Sequence, residues 1–389
     1  MTVIKVGIPV SLTGQFQTQG RQALVGLQAW ADGVNRTSGL EIGTRRYEIE
    51  VIHYDDSSLA DGAATAANRL IHEDQIDLLF GPYSSGLAGA VSEVAAGAGM
   101  VLWNQGGAAD IICQPGRWVV GILTGAREYL AGLPELVKVA HPSAASLCVL
   151  RCADGAFPRL VSEGLERSAQ DRGFRRVRYL EFPSTQNDFS ELISEALAAK
   201  PDLLLVVGRI RHDIAIAQVL ASQPDIERRP SVTAVVATPI ERFRREMGEN
   251  VEGFVGPSQW EPSRDDAVFL PPADFYGPTP AQVLSELNLA RGAAGVPVDY
   301  PMAQSFAAGL IAQRCLKEAG SLDQGLLWRA AGKLDFHTFF GRFKINPESG
   351  QQIGRSVNLV QWQRGKKVVI WPPEQAQGKL EIHQQSPGE

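Results

Sequence analysis

A short polar turn at residues 83–86 carries the clearest chemical potential in the chain. It follows the apolar run 78–80, typical of a buried parallel strand, and precedes apolar residues with helical spacing. Such a junction presents backbone N–H groups, and here the hydroxyls of Ser84 and Ser85, at the positive end of a helix. It can therefore bind an anionic group such as a carboxylate. The alternative, that one serine only caps the helix, stays open.

Other residue types that could do chemistry favour structural roles. Asp55 and Asp56 could be paired catalytic carboxylates, but their place before a helix favours capping it at the rim of a cleft. The six histidines are scattered and form no HExxH pair, so we predict no metal site. No nucleophile elbow, phosphate loop or dinucleotide fingerprint follows a predicted strand, so we predict neither an enzyme nor a cofactor.

A repeating strand–loop–helix pattern must position the polar turn. In the first 110 residues, four strands are predicted at 3–10, 47–53, 78–80 and 100–103. Helices are predicted at 21–34 and 61–72, the second capped by Ser57 or Ser58. Short turns between such elements predict an α/β fold with a doubly wound parallel sheet.

The same rhythm restarts after residue 140 and predicts a second parallel sheet. Its strands are expected at 146–151, 177–182, 203–207 and 232–236. The rest is predicted as an edge strand at 253–256, helices at 280–294, 301–319 and 323–332, and hairpins turning at 347–350 and 364–365. The tail beyond Pro373 is expected to be extended or disordered.

Length and composition fit an ordinary globular protein of two domains. A chain of 389 residues exceeds one ordinary core. A net charge of −6 without a basic block argues against nucleic acid as a partner, and no apolar run is long enough to span a bilayer. Cys148 and Cys152 are expected to be free, buried thiols. No signal peptide precedes the first strand, which leaves a mature secreted start or a cytoplasmic protein open.

Several motifs, in order, resemble one known family over nearly the whole chain. They are IKVGIPVSLTGQFQTQG, VIHYDDSS, LLFGPYSSG, FFGRFKINPESG and VQWQRGKKVVIWPP. The chain resembles type I periplasmic substrate-binding proteins of the Leu/Ile/Val-binding family, which serve branched-chain amino acid ABC importers. The resemblance implies two doubly wound parallel-sheet lobes joined by three crossovers near Ile122, Glu252 and Ala330. The lobes would comprise 1–122 plus 253–330, and 123–252 plus 331–389 with the C-terminal β-hairpins.

The resemblance also implies a set of ligand-binding residues. Ser84 and Ser85 should take a ligand carboxylate, and Phe157 should be an aromatic lid, although it could equally belong to the core. Tyr83 could serve as a lid or pack within its lobe. The remaining residues implied by the resemblance are Phe16, Gln17, Gln105, Gly106, Gly107, Arg209, Ile210 and Thr238.

Two departures from the family pattern bear on the ligand. Members that bind α-amino acids place an acid in the loop around Thr238, whereas the nearest acid here is Glu241. Arg209 stands where the family often has an aromatic residue, and a buried guanidinium seeks a carboxylate. The ligand is therefore predicted to be a carboxylate that can lack an amine, such as an aromatic or branched acid. Alternatively, Arg209 faces solvent or pairs with Asp213.

The function implied is that of the solute-binding component of an ABC importer. It would capture a small amino acid or carboxylate between two lobes by hinge closure and present the closed form to a membrane permease. The expected protein is a periplasmic or extracellular monomer. The alternative is a ligand-sensing receptor domain on the same fold that regulates a partner protein.

Overall fold

The chain folds into two compact units. The computed structural model describes residues 2–223, 229–262 and 269–383. Unit 1 falls within residues 1–125 and 260–355, and unit 2 within residues 126–259 and 356–389. The first two boundaries lie close to the predicted crossovers.

The third boundary corrects the predicted lobe division. Residues 331–355, predicted in the second lobe, belong to unit 1. The backbone N–H of Gly121 donates to the carbonyl of Gly350 at 2.9 Å, and Thr124 bridges to Gln352. Because both contacts are with residues of unit 1, this segment belongs to unit 1 and does not begin unit 2.

Unit 1 is built on a six-stranded sheet. Its strands are β1 (Thr2–Val10), β2 (Leu40–Ile42), β3 (Arg45–Asp55), β4 (Leu78–Phe80), β5 (Leu102–Asn104) and β6 (Val119–Gly121). The spatial order is β2-β3-β1-β4-β5-β6, and every pair is parallel except β2 with β3. Strands β4 and β5 are buried at every residue, as expected where helices cover both faces of a parallel sheet.

Within the described residues, unit 1 has six α-helices. They are α1 (Gln17–Arg36), α2 (Ala60–His72), α3 (Ser85–Gly97), α9 (Pro280–Ala294), α10 (Tyr300–Ala319) and α11 (Gln324–Lys333). Helix α9 matches its prediction because its ends have strong local determinants. Thr279 and Gln282 form a reciprocal capping box at its start, and Gly295 at φ +64° ends it.

Unit 2 is built on a seven-stranded sheet. Its strands are β7 (Ser146–Cys152), β8 (Arg175–Phe182), β9 (Leu203–Val207), β10 (Val232–Val235), β11 (Val255–Ser258), β14 (Asn358–Gln363) and β15 (Lys366–Trp371). The spatial order is β15-β14-β11-β10-β9-β7-β8. Its helices are α4 (Leu133–Ala140), α5 (Ala156–Asp171), α6 (Ser190–Ala198), α7 (Ile210–Ala221) and α8 (Glu241–Met247).

Of three predictions for the C-terminal part of the chain, two differ from the structure and one is confirmed. Strand β11 lies inside the sheet, parallel to β10 and antiparallel to β14, and is not an edge strand. The hairpin turning at 364–365 is present between β14 and β15. Around 347–350 only one antiparallel bridge, Ile345 to Gln352, forms, and the neighbouring hairpin joins β12 (Phe336–Thr338) to β13 (Gly341–Phe343) in unit 1.

The described part of the tail begins with a turn at residues 373–375 and is hydrogen-bonded to the rest of unit 2. Gln361 receives the backbone N–H of Glu381 at 2.9 Å, and the backbone N–H of His383 donates to the carbonyl of Ser231 at 3.0 Å. Cys148 and Cys152 are free and buried, as predicted. None of the helices within the described ranges combines the length and apolar character needed to cross a membrane.

Candidate functional site

The switch point of the unit 1 sheet lies between β1 and β4, where the connections diverge to opposite sides. Open α/β sheets bind ligands at this point, outside the carboxyl ends of the strands. The loops after these strands bring Phe16 and Tyr83 together with ring centroids 5.8 Å apart, edge to face. The Tyr83 hydroxyl lies 3.3 Å from the hydroxyl of Tyr300 at the start of α10. The result is an aromatic group with two phenol oxygens.

A serine from the loop after β3 holds Phe16 in place. The Ser58 hydroxyl accepts the backbone N–H of Phe16 at 3.1 Å and donates to the carbonyl of Thr13 at 2.7 Å. Ser57 and Ser58 both have left-handed backbone conformations, and Leu59 is the N-cap of α2 without a side-chain cap bond. The prediction that Ser57 or Ser58 caps this helix is therefore wrong, since the turn directs Ser58 towards the loop after β1.

Asp55 organises the same two loops. Its carboxylate accepts the backbone N–H of Leu12 at 2.9 Å, that of Ser57 at 2.9 Å and the Thr13 hydroxyl at 2.7 Å. Partial burial raises the pKa of Asp55, but these hydrogen bonds outweigh it and leave the pKa below its usual value. Asp56 is fully buried and accepts from the Ser11 hydroxyl and the N–H of Ser58. Both acids bond to the loops instead of capping α2.

Replacing Asp55 with asparagine is expected to lower the free energy of unfolding by about 1 kcal/mol at neutral pH, because the amide accepts these donors less strongly. The lowered pKa means that the contribution is complete above the unfolded-state value of about 4 and is lost as pH falls through the lower folded-state value. Denaturant unfolding of both proteins at neutral and strongly acid pH measures the difference. A gap that stays constant with pH would contradict this role, and Asp61→Asn in the first turn of α2 is the matched control.

The two serines of the polar turn have distinct partners. Ser84, at φ +90°, is the N-cap of α3, and its hydroxyl accepts the N–H of Leu87 at 3.4 Å. The Ser85 hydroxyl accepts the N–H of Ala109 at 3.0 Å. Capping and ligand contact do not compete here, because a hydroxyl that accepts one N–H can donate its own hydrogen to a carboxylate.

The loop after β5 contributes backbone groups and the buried side-chain amide of Gln105 to the surroundings of the polar turn. The Gln105 amide is fully buried, donates to the carbonyl of Gly81 at 2.7 Å and accepts from Gln304 at 3.2 Å. The Gly106 carbonyl accepts the N–H of Ser84 at 3.0 Å, and a Cβ at Gly106 would overlap the Pro82 carbonyl. These residues therefore fix the polar turn, and their predicted backbone contacts with a ligand stay predictions. Gln17 begins α1 and donates to the carbonyl of Leu12 at 2.7 Å.

In unit 2 the switch point lies between β7 and β9. Phe157, in the first turn of α5, contacts Tyr129 edge to face with ring centroids 5.2 Å apart. Arg209 follows β9 as the N-cap of α7, and Ile210 begins that helix. The loops at this point thus combine aromatic rings with a half-buried guanidinium.

Arg209 lies in an electrostatic group with Asp154, which follows β7. The side chain and backbone N–H of Ser184 lower the pKa of Asp154 most, and the Arg209 charge lowers it further. Asp213, the alternative ion-pair partner of Arg209, directs its two carboxylate oxygens to backbone N–H groups of Gly208 and Ala237, at 2.7 and 3.0 Å.

The loop after β10 differs in character from the other predicted ligand loops. Thr238 is fully buried, and its hydroxyl donates to the carbonyl of Val255 at 3.1 Å. The Thr238 carbonyl accepts the indole N–H of Trp362 at 3.0 Å. Glu241 forms an ion pair with Arg244 in the first turn of α8. The Thr238 side chain thus has a structural partner, and its contact with a ligand stays a prediction.

Sequence reasoning missed Tyr300 and Tyr129. Tyr300 begins α10 far from Tyr83 along the chain, and the helix was predicted to start at Pro301. Proline in the first turn was the available signal, because it makes the preceding residue a candidate for the exposed helix start. No local pattern distinguishes Tyr129 from a core residue.

Comparison with solved structures shows the same fold. A leucine-binding protein, LivK, from Thermotoga maritima superposes with a TM-score of 0.77 at 18% identity, covering 94% of this chain and 97% of that one. A solute-binding protein of an ABC transporter from R. palustris, in complex with benzoate, superposes with a TM-score of 0.75 at 17% identity, covering 98% and 96%. These neighbours confirm the predicted fold class.

Sequence comparison gives the family. A Leu/Ile/Val-binding protein homolog 7 from Brucella melitensis is 25% identical over 209 residues, so the chain spans about half the length of the curated relatives it matches (52% of this chain and 51% of the relative). A family model described as periplasmic binding protein matches residues 3–367. The chain therefore belongs to the family of periplasmic binding proteins that this model describes.

Proposed function

We propose that the protein is the solute-binding component of an ABC importer and captures a small carboxylate. The observation that carries this proposal is that four predicted ligand residues follow the strands at the switch points, Phe16 and Tyr83 in unit 1 and Phe157 and Arg209 in unit 2. Membership of a family of substrate-binding proteins, which are not enzymes, supports it.

Each unit offers chemistry suited to a carboxylate. In unit 1 the Ser84 and Ser85 hydroxyls accept backbone N–H groups and can donate to an anion. In unit 2 the Arg209 guanidinium provides a planar fork that matches a carboxylate. The aromatic rings beside these groups favour a ligand with an apolar body.

The acidic groups beside the predicted ligand residues of each unit favour a ligand without an amine. An α-amino acid needs an acceptor for its ammonium, and a carboxylate already engaged within its own unit serves poorly. Five acids at or after the carboxyl ends of strands have such partners: Asp55, Asp56, Asp154, Asp213 and Glu241. We therefore propose an aromatic carboxylate, and the benzoate complex of the R. palustris protein is in keeping with this choice.

The proposed mechanism is capture by closure. A ligand that binds the switch-point loops of each unit stabilises the closed form, because it interacts more strongly with that form than with the open one. The closed form then docks with a membrane permease from outside the cytoplasm, and the protein is proposed to act as a monomer. The family membership supports this location.

A thermal-shift screen tests the ligand class, since a ligand bound only by the folded state raises the melting temperature by mass action. One panel holds aliphatic α-amino acids, and the other holds benzoate and related acids without an amine. At a hundredfold excess over Kd, stabilisation of about 2.7 kcal/mol is expected with an aromatic acid. Small-angle scattering with the same ligand should show a smaller radius of gyration.

The two panels separate the outcomes. Stabilisation only by amino acids would overturn the proposed aromatic class and favour the amino acid ligand that the sequence resemblance implies. Binding without compaction would contradict capture by closure. No stabilisation by either panel would contradict small-carboxylate capture altogether.

A further inference from the structure

Two consecutive residues of α7 bond to three of the loops at the ligand edge of unit 2. His212 and Asp213 are each 1% exposed, although both carry polar side chains. Burying a polar group costs free energy unless the group is hydrogen-bonded. The hydrogen bonds of His212 and Asp213 therefore indicate the structural role of these residues.

His212 joins the loop after β8 to the loop after β9. Its Nε2 lies 3.1 Å from the carbonyl of Ser184, and its Nδ1 lies 3.3 Å from the backbone nitrogen of Arg209. Because the Arg209 N–H is a donor, Nδ1 must accept, which assigns the proton to Nε2. Rings of Phe182 and Phe189 pack edge to face on the imidazole.

Asp213 joins the loop after β9 to the loop after β10. One carboxylate oxygen accepts the N–H of Gly208 at 2.7 Å, and the other accepts the N–H of Ala237 at 3.0 Å. Both oxygens of the aspartate carboxyl group can accept these donors, whereas the amide of asparagine would present N–H hydrogens to one of them. The pair of bonds therefore fixes the separation of the two loops.

The connection reaches the loop after β7 through Ser184. Asp154 accepts the N–H of Ser184 at 2.6 Å, while the Ser184 carbonyl receives His212 and Arg211. Hydrogen bonds thus run from Asp154 through Ser184 to His212, and Asp213, the next residue of α7, extends the connection to Gly208 and Ala237. It passes the backbone of Arg209, the residue proposed to hold the ligand carboxylate.

We propose that His212 and Asp213 are positioning residues that couple the loops after β8, β9 and β10, so that Arg209 is presented to the ligand from a rigid edge. The coupling is a property of unit 2, whereas its effect on affinity rests on the proposed function. Coupling also explains why a buried carboxylate occupies this place, where an apolar residue would cost less to bury.

Hydrogen exchange of the ligand-free protein tests the coupling directly. Asp213→Asn preserves side-chain volume and removes one of the two acceptors, so exchange at Gly208 or Ala237 should accelerate about tenfold. His212→Gln keeps a donor towards Ser184 but loses the acceptor for Arg209, whose amide should then exchange faster. Because the two variants perturb different bonds, the test survives if one of them fails to fold.

Asp202→Asn is the matched control. Asp202 also accepts two backbone N–H groups, from Ala145 and Ser146, but at the opposite edge of the same sheet. Its replacement should lower stability without accelerating exchange at Gly208 or Ala237. Equal exchange at these amides in wild type and Asp213→Asn, or equal acceleration in Asp202→Asn, would overturn the coupling.

A binding measurement separates positioning from general support. With benzoate as the probe, Asp213→Asn should raise Kd about tenfold, while Asp202→Asn should lower the melting temperature and leave Kd unchanged. An unchanged Kd in Asp213→Asn would overturn the positioning role. If wild type binds neither benzoate nor the amino acid panel, the proposed function fails, and the exchange data still decide the coupling.

Discussion

Arg209→Ala is expected to weaken the binding of benzoate by about tenfold to a hundredfold. A hydrogen bond between charged partners contributes about 1.5 to 3 kcal/mol, and each 1.4 kcal/mol is a factor of ten in Kd. The backbone N–H that Arg209 donates to His212 persists in the alanine variant, so α7 keeps its start. Isothermal titration calorimetry of the two proteins measures the loss.

The geometry explains why this residue, among the arginines of unit 2, is expected to matter. It follows β9 at the switch point and acts electrostatically on Asp154, which follows β7. Its guanidinium is therefore at the edge where a ligand of an α/β sheet binds. Arg209→Lys keeps the charge but loses the planar fork, and an intermediate affinity is expected.

Arg159→Ala is the control for charge alone. Arg159 lies on α5 in the same unit, is exposed, and pairs with Glu163 at 2.8 Å. Its removal changes the net charge equally, and a surface ion pair contributes little. If Arg159→Ala and Arg209→Ala bind benzoate with the same affinity as wild type, the assignment of Arg209 to the site is rejected.

The fold class could be predicted because the alternation of strands and helices has strong local sequence signals. The strand Leu78–Phe80 matches its prediction because Gly81 and Pro82 end an apolar run that is buried on both faces. Helix α9 matches because a capping box and a left-handed glycine define its ends. Where local chemistry and tertiary structure agree, sequence reasoning is sufficient.

The misses lie where distant contacts override local rules. Ser58 is a good N-cap by type, yet its bonds to Thr13 and Phe16 across the sheet edge take precedence. Strand β2 has only 3 residues and exists through its antiparallel pairing with β3. Segment 331–355 belongs to unit 1 because Gly350 pairs with Gly121, a contact that no local pattern predicts.

The candidate site shows the same division. The family resemblance singled out Arg209 and Tyr83, each of which follows a strand of its sheet, and their contact with a ligand stays a prediction. The partner of Tyr83 could not be predicted from the sequence, because Tyr300 is separated from Tyr83 by 217 residues. Asp213 has the spacing of a helical ion-pair partner for Arg209, and only the position of the loop after β10 shows where its oxygens point.

Gly26→Ala is expected to lower the free energy of unfolding by about 3 kcal/mol, although alanine favours a helix over glycine by about 1 kcal/mol. Gly26 lies within α1, on the face that packs against α10. A Cβ there would lie closer than 3.0 Å to the backbone carbonyl of Met302, and a backbone atom cannot move aside as a flexible side chain can. The two helices would have to separate along a buried interface.

Gly89→Ala is the matched control and is expected to change the free energy of unfolding in the opposite direction. Gly89 also lies within a helix of unit 1, but a Cβ there meets nothing within 4 Å. The substitution should therefore raise stability by about 0.5 to 1 kcal/mol, as propensity alone requires. Denaturant unfolding of both variants gives the comparison. If Gly26→Ala is as stable as Gly89→Ala, the close approach of α1 and α10 is not a feature of the folded protein, and the packing described for unit 1 is incorrect there.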